Sequence, residues 1–241
     1  MLLFGTGDVL IWRLSDGLLV QRLQRQVHTD AVRSLSFSPN SQAVVSGSED
    51  KSAIVWDIRS GGVLLCLEGH SEPVDTVMYA PHGLFIATAS FDSFIKIWDA
   101  LTGACLHSFI VSGGITGLVF SSNFSLSRRG DRIATASGGE LKIWSVTTGE
   151  ELLTINHRRN LFYPVILSLD DAEVLVSCPQ DKNVVAYDSR TGQLRRVFAL
   201  SDQARCAAYS PGGDFIVLGE WGGELKVFDA KSGDTRCKFC G

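Results

Sequence analysis

Two stretches of this chain place an imidazole, a hydroxyl, a carboxylate and an indole at matching intervals. In one they are His28, Ser46, Asp50 and Trp56; in the other, His70, Thr88, Asp92 and Trp98. In both, 22 residues separate His from Asp and 6 separate Asp from Trp. His, hydroxyl and Asp could form a hydrolytic triad, the imidazole taking the hydroxyl proton and the carboxylate orienting the imidazole. Recurrence in adjacent segments, each with an indole N–H to satisfy, argues for a structural network instead. The Asp accepts from the imidazole, the imidazole bonds the hydroxyl, and the hydroxyl bonds the indole. Each such bond contributes about 0.5–1.5 kcal/mol net, and a shared network more than isolated pairs. No carboxylate pair or activated nucleophile stands elsewhere, so no catalytic residue is assigned and no enzyme is expected.

Other chemistry is thinly represented. Cys237 and Cys240 have half the spacing of a zinc site, but no second ligand pair accompanies them, so no metal is expected. Gly113-Gly114 and Gly138-Gly139 precede strand patterns and not helices, which argues against a phosphate cradle and leaves no cofactor. A net charge of -4 argues against nucleic acid as a partner. No apolar run approaches the roughly 20 residues of a membrane-spanning helix. The N-terminus lacks the charged and apolar regions of a signal peptide. The six cysteines are scattered and read as reduced, in the cytoplasm or nucleus.

These residues must be positioned by a repeat. Six times an apolar strand reaches an aromatic residue and then, five residues later, a glycine. The aromatics are Trp12, Trp56, Trp98, Trp144, Tyr187 and Phe228, at steps of 44, 42, 46, 43 and 41. The glycines are Gly17, Gly61, Gly103, Gly149, Gly192 and Gly233. A period of this length denotes a repeat architecture. Each repeat reads as four strands, a to d. Strands such as Ala43-Val44-Val45 and Val174-Leu175-Val176 are apolar at consecutive positions, so both faces must be covered. In the fourth repeat strand a is expected at 115–120, followed by an insertion at 121–132.

With Gly69-His70, Ser-Pro turns, and Trp56-Asp57 and Trp98-Asp99 closing strand c, the chain resembles the WD-repeat (WD40-type) β-propeller family. The resemblance covers essentially the whole length. It implies an all-β propeller of four-stranded antiparallel blades in one domain, with blades near 1–26, 27–68, 69–110, 111–156, 157–199 and 200–241. The first blade lacks its innermost strand. The fourth has Thr135 and Trp144 but no His, and Gly138-Gly139 where the Asp belongs. The fifth keeps Ser177 and Asp181 with Tyr187 for Trp, and the sixth has Phe228 and no expected polar network.

The resemblance implies a non-catalytic scaffold binding other proteins or peptides. The face carrying the d–a and b–c loops is the expected contact surface, through Arg33, Glu49, Asp75, Phe91, Thr116, Phe162, Gln180, Arg205, Glu220 and Trp221. The alternative is a sensor segment of a larger signalling protein, such as a nucleotide-switched ATPase. With no strand to complete the first blade, the ring is expected to need further repeat sequence or self-association to close. It would otherwise be a strained six-bladed ring or an open arc.

Overall fold

The computed structural model describes residues 2–4, 9–23, 27–111, 124–126, 130–137, 139–156 and 162–239. Their regular structure is antiparallel strand, apart from one 3-10 turn at Pro179–Asp181. Residue contacts divide the chain into two compact units, Met1–Ile110 and Val111–Gly241.

The first unit holds three sheets. The first consists of β1 (Leu2–Phe4), β2 (Val9–Trp12) and β3 (Leu19–Arg22). The second consists of β4 (Val32–Phe37), β5 (Ala43–Ser48), β6 (Ala53–Asp57) and β7 (Val63–Leu67). The third consists of β8 (Val74–Tyr79), β9 (Phe85–Ser90), β10 (Phe94–Asp99) and β11 (Cys105–Ile110). Strands pair in chain order within each sheet, the arrangement of propeller blades.

The second unit holds three four-stranded sheets. The fourth sheet of the chain consists of β12 (Phe124–Leu126), β13 (Arg132–Ser137), β14 (Glu140–Ser145) and β15 (Glu151–Asn156). The fifth consists of β16 (Phe162–Leu167), β17 (Glu173–Cys178), β18 (Asn183–Asp188) and β19 (Leu194–Ala199). The sixth consists of β20 (Ala204–Tyr209), β21 (Phe215–Glu220), β22 (Leu225–Asp229) and β23 (Thr235–Phe239).

The fourth sheet departs from expectation. β12 pairs Phe124 with Thr135 and Leu126 with Ile133, inside the stretch read as an insertion. Three residues suffice for a strand where the backbone is paired by a longer neighbour. The strand expected at 115–120 lies outside the described residues.

The core lies between sheets. Val9, Ile11 and Leu23 pack with Val44, Ile54 and Trp56; Val45, Val55 and Leu67 pack with Val74, Val77 and Trp98. In the second unit Ala134, Leu141 and Ile143 meet Val174 and Val176, while Leu175 and Val184 meet Ile216 and Leu218. β5 and β17 are buried at every position, which explains the unbroken apolar or small-residue runs 43–48 and 174–178. Each fully buried Val or Leu contributes about 1.5–3 kcal/mol. Two hydrogen bonds reinforce the second–third contact: Val77 N–H donates to Ser34 Oγ at 3.1 Å and Tyr79 N–H to Ser36 Oγ at 3.0 Å. The sixth sheet differs at one face. Gly219 pairs with Leu225 and Leu225 with Phe239, putting Phe215, Leu225 and Phe239 on one side, and all three are exposed.

The six repeat glycines have one structural cause. All have φ between 69° and 80°, where a side chain is strained. In each c–d turn the glycine N–H donates four residues back, as Gly61 does to Asp57 and Gly103 to Asp99, both at 2.9 Å. The Asp after the aromatic closes the same turn. Asp57 Oδ1 accepts from Ser60 N–H at 2.6 Å, and Asp99 Oδ1 from Thr102 N–H at 2.7 Å. The Ser60 hydroxyl with its N–H holds Asp57 below the usual carboxylate range, and the Thr102 N–H with its hydroxyl holds Asp99 there.

Candidate functional site

The two polar chains close in full within their sheets. Trp56 Nε1–H donates to Ser46 Oγ at 2.7 Å, Ser46 stands 2.7 Å from His28 Nε2, and His28 Nδ1 stands 2.8 Å from Asp50 Oδ2. In the third sheet the corresponding distances for Trp98, Thr88, His70 and Asp92 are 2.8, 2.7 and 2.8 Å. Burial depresses both imidazoles below their ordinary range, against the pull of the neighbouring carboxylates. Neutral rings fit one tautomer: Nδ1–H donates to Asp, and Nε2 accepts from the hydroxyl. The Ser46 side chain and both imidazoles are sealed from solvent, so no substrate reaches them.

Each Asp also ties two loops together. Asp50 Oδ2 accepts from Thr29 N–H and Oδ1 from Ser52 N–H, both at 3.0 Å. Asp92 Oδ2 accepts from Ser71 N–H at 3.0 Å and Oδ1 from Phe94 N–H at 2.9 Å. Burial works against both carboxylates, but the Ser52 hydroxyl, His28 and the Ser52 N–H hold Asp50 below the usual range, and His70 with the Phe94 and Ser71 N–H groups does so for Asp92. The network therefore fixes the d–a loop to the b–c turn at one end of each sheet.

That end also carries the expected contact residues. Arg33, Asp75 and Arg205 each sit where the a–b register slips by one residue: between Val32 and Ser34, Val74 and Thr76, and Ala204 and Cys206. A β-bulge re-aims its extra side chain out of the pleat. Glu49, Phe91 and Trp221 follow strand b, and their N–H groups donate to Ala31, Pro73 and Gln203 of the d–a loops.

Four of these residues meet across the second and third sheets. Arg33 pairs with Glu49 at 2.9 Å and Asp75 at 3.4 Å, and its guanidinium lies 5.3 Å from the Phe91 ring centre. Burial pushes the Asp75 carboxyl above the usual range, with Thr76 and Arg33 pulling it back. In the sixth sheet the Arg205 guanidinium stacks on Trp221 at 3.5 Å from the ring centre. Trp221 is 62% exposed. Gln180 is exposed in the 3-10 turn after β17. Phe162 is described by its backbone alone, at the start of β16. Thr116 lies outside the described residues.

Glu220 requires a correction. Its side chain is 1% exposed, and it forms an ion pair with the equally buried Lys226. The Nζ–Oε1 separation is 2.5 Å but poorly aligned for a hydrogen bond. Oε2 accepts from Ser201 N–H at 2.9 Å and Asp202 N–H at 2.6 Å, and Lys226 donates to Ser201 Oγ at 2.6 Å. The sixth sheet thus has a polar network, contrary to the expectation of none. Its signal in the sequence was a Lys between Leu225 and Val227, six residues after Glu220.

The fourth sheet carries a partial version and the fifth leaves its hydroxyl unpaired among the described residues. Trp144 Nε1–H donates to Thr135 Oγ1 at 3.1 Å in the fourth. In the fifth, Ser177 Oγ is buried without a hydrogen-bond partner among the described residues.

Stacked four-stranded sheets whose turns are closed by Asp and Gly and whose ends are tied by a His–Asp pair are propeller blades. The WD domain, G-beta repeat family profile matches residues 19–57 and 61–99. Each match runs from strand d of one sheet to the Trp-Asp pair of the next. Residues 19–57 and 61–99 accordingly carry WD repeats. Striatin-4 of Mus musculus is 24% identical over 205 residues, covering 83% of this chain and 22% of that protein. WD repeat and SOCS box-containing protein 1 of Danio rerio is 41% identical over 66 residues, 27% of this chain and 15% of that protein. A Ribosome biogenesis protein BOP1 homolog of Drosophila grimshawi is 41% identical over 49 residues, 20% and 6% of the two. The chain thus spans under a quarter of each of these relatives, none of which is named as an enzyme.

Proposed function

We propose that this chain is a non-catalytic scaffold that binds partner proteins at the end of its blades where the d–a loops and b–c turns meet. The observation that carries the reading is Arg205 stacked on the exposed indole of Trp221. Trp and Arg are the residue types that carry most interface energy once desolvated, and the stack holds both side chains in place before a partner arrives. Arg33, locked by Glu49, Asp75 and Phe91, forms a second anchor in the first unit. Gln180, Phe162 and Thr116 remain members of the surface by repeat position, whereas Glu220 serves as its support. No nucleic acid and no cofactor enters this reading, and the compartment is the cytoplasm or nucleus. No helix among the described residues is long and apolar enough to cross a membrane.

Affinity purification with mass spectrometry tests the reading. Wild type is compared with Phe91→Ala combined with Trp221→Ala. A defined set of proteins is expected to disappear from the double variant while its melting temperature stays within error. An unchanged set, or a loss that follows a lowered melting temperature, contradicts it.

A further inference from the structure

We propose that a cleft between the fifth and sixth sheets, within the second unit, binds an acidic peptide segment and seats one of its carboxylates against Arg196, Tyr209 and Lys231. The cleft has a volume of about 530 Å³, within the range of ligand sites and far more than a single oxyanion fills. It lies at the a–b turns of both sheets, the opposite end of the strands from Arg205 and Trp221. Its walls are the turn from Ser168 to Glu173, the glycine turn Gly212-Gly213, and Arg195 and Arg196 of β19, the outermost strand of its sheet.

Its polar groups are unequally provided for. The inner carboxylates are occupied. Glu173 Oε1 receives both arginines, and Asp170 Oδ1 accepts from Ser168 Oγ at 2.5 Å and Ala172 N–H at 3.1 Å. The donors are in surplus. Arg196 Nε and the Tyr209 hydroxyl are buried without a hydrogen-bond partner among the described residues. Arg196 spends one NH group on Glu173 and the other on the Lys231 carbonyl. Lys231 itself is exposed at the rim. An orphaned buried donor is stabilised by any acceptor that reaches it, and the Arg196 Nε can only donate. A carboxylate entering the cleft supplies that acceptor as the guanidinium turns off the Lys231 carbonyl. Asp214, exposed on the rim, accepts a backbone N–H of the same segment.

The test is fluorescence anisotropy of the full chain with a fluorescein-labelled hexaglutamate peptide, and with hexalysine bearing the same label. The chain carries a net charge of -4, so general attraction favours the basic peptide and opposes the acidic one. Saturable hexaglutamate binding is expected, weakened at least about tenfold in Arg196→Gln and in Tyr209→Phe, as the loss of a charge-assisted bond implies. Lys231→Gln, on an exposed turn outside the Glu173 pairs, is expected to weaken it without affecting folding. Phe91→Ala with Trp221→Ala is expected to leave it unchanged, so the cleft and the opposite surface fail or stand separately. No saturable binding, binding by all three cleft variants equal to wild type, tighter binding of hexalysine, or full competition by equimolar inorganic phosphate would overturn the proposal.

Discussion

Glu220 and Lys226 form a buried ion pair in the sheet that lacks the His–Asp pair. The pair serves the same end by other chemistry. Glu220 Oε2 accepts from Ser201 N–H in the d–a loop, as Asp50 accepts from Thr29 and Asp92 from Ser71. Glu220 stands one residue before Trp221, whereas Asp50 and Asp92 stand one residue after Glu49 and Phe91. The longer side chain spans the difference, and Lys226 reaches it from β22. Removing one charge strands the other in the core. Glu220→Gln or Lys226→Met alone is expected to cost about 3–5 kcal/mol, while replacing both by apolar residues is expected to cost less than the two single losses summed, about 1–3 kcal/mol for the Ser201 and Asp202 N–H groups left without an acceptor. Urea unfolding of the three variants checks this, and additive losses would refute it.

The complete networks set an order of stability among the sheets. Asp92→Ala leaves His70 and two backbone N–H groups without an acceptor and is expected to cost about 1–3 kcal/mol. Asp181→Ala is expected to cost less, because Asp181 is exposed and Ser177 Oγ has no hydrogen-bond partner among the described residues. Equal denaturation midpoints for the two variants would contradict the ranking.

The buried imidazoles predict an acid-labile fold. Both have folded pKa values below the ordinary 6.5. The unfolded chain therefore binds protons first as pH falls. Stability from this source is complete about one unit above pH 6.5 and is lost progressively as pH falls through 6.5 toward the folded values. The lowered Asp50 and Asp92 values add a further loss beneath the ordinary 3.8, as pH falls toward their folded values. The melting temperature is expected to drop between about pH 7.5 and about pH 5.5 in wild type, and to drop less when His28 and His70 are both replaced by Asn. An identical pH profile in the double variant would count against neutral buried imidazoles.

Gly47 marks how closely the second and third sheets approach. A Cβ there would lie 2.7 Å from Val77 Cγ1, 2.8 Å from Val74 Cγ1 and 3.3 Å from the Val74 carbonyl oxygen. Both side chains belong to the buried core, so neither can swing away. Gly47→Ala is expected to destabilise the protein by about 1–3 kcal/mol through overpacking. Thermal denaturation reads the loss, and a melting temperature at or above wild type would show that the sheets can separate to admit a methyl group.

The sequence disclosed whatever recurs. The aromatic-to-glycine interval located all six c strands, because a tight c–d turn demands positive φ at one fixed position. The His–Asp–Trp intervals likewise anticipated groups that the structure brings within hydrogen-bonding distance. What recurs in geometry but not in residue type was hidden. The strand-a bulges lie at Arg33, Asp75 and Arg205, which repeat position alone had placed; two arginines and an aspartate leave no mark of the register slip in residue type. β12 has only three residues in a polar stretch, too few for an apolar pattern. Glu220 and Lys226 form a network from unrelated residue types, and its existence depends on side-chain reach.

Hydrogen–deuterium exchange of the chain with a partner recovered by affinity purification tests the central claim most directly. Protection is expected in the d–a loops and b–c turns around Arg33, Glu49, Phe91, Arg205 and Trp221. The c–d turns at Gly61, Gly103 and Gly233 are expected to exchange as in the free protein. Protection confined to those c–d turns, with the Phe91 and Trp221 segments unchanged, would contradict the account.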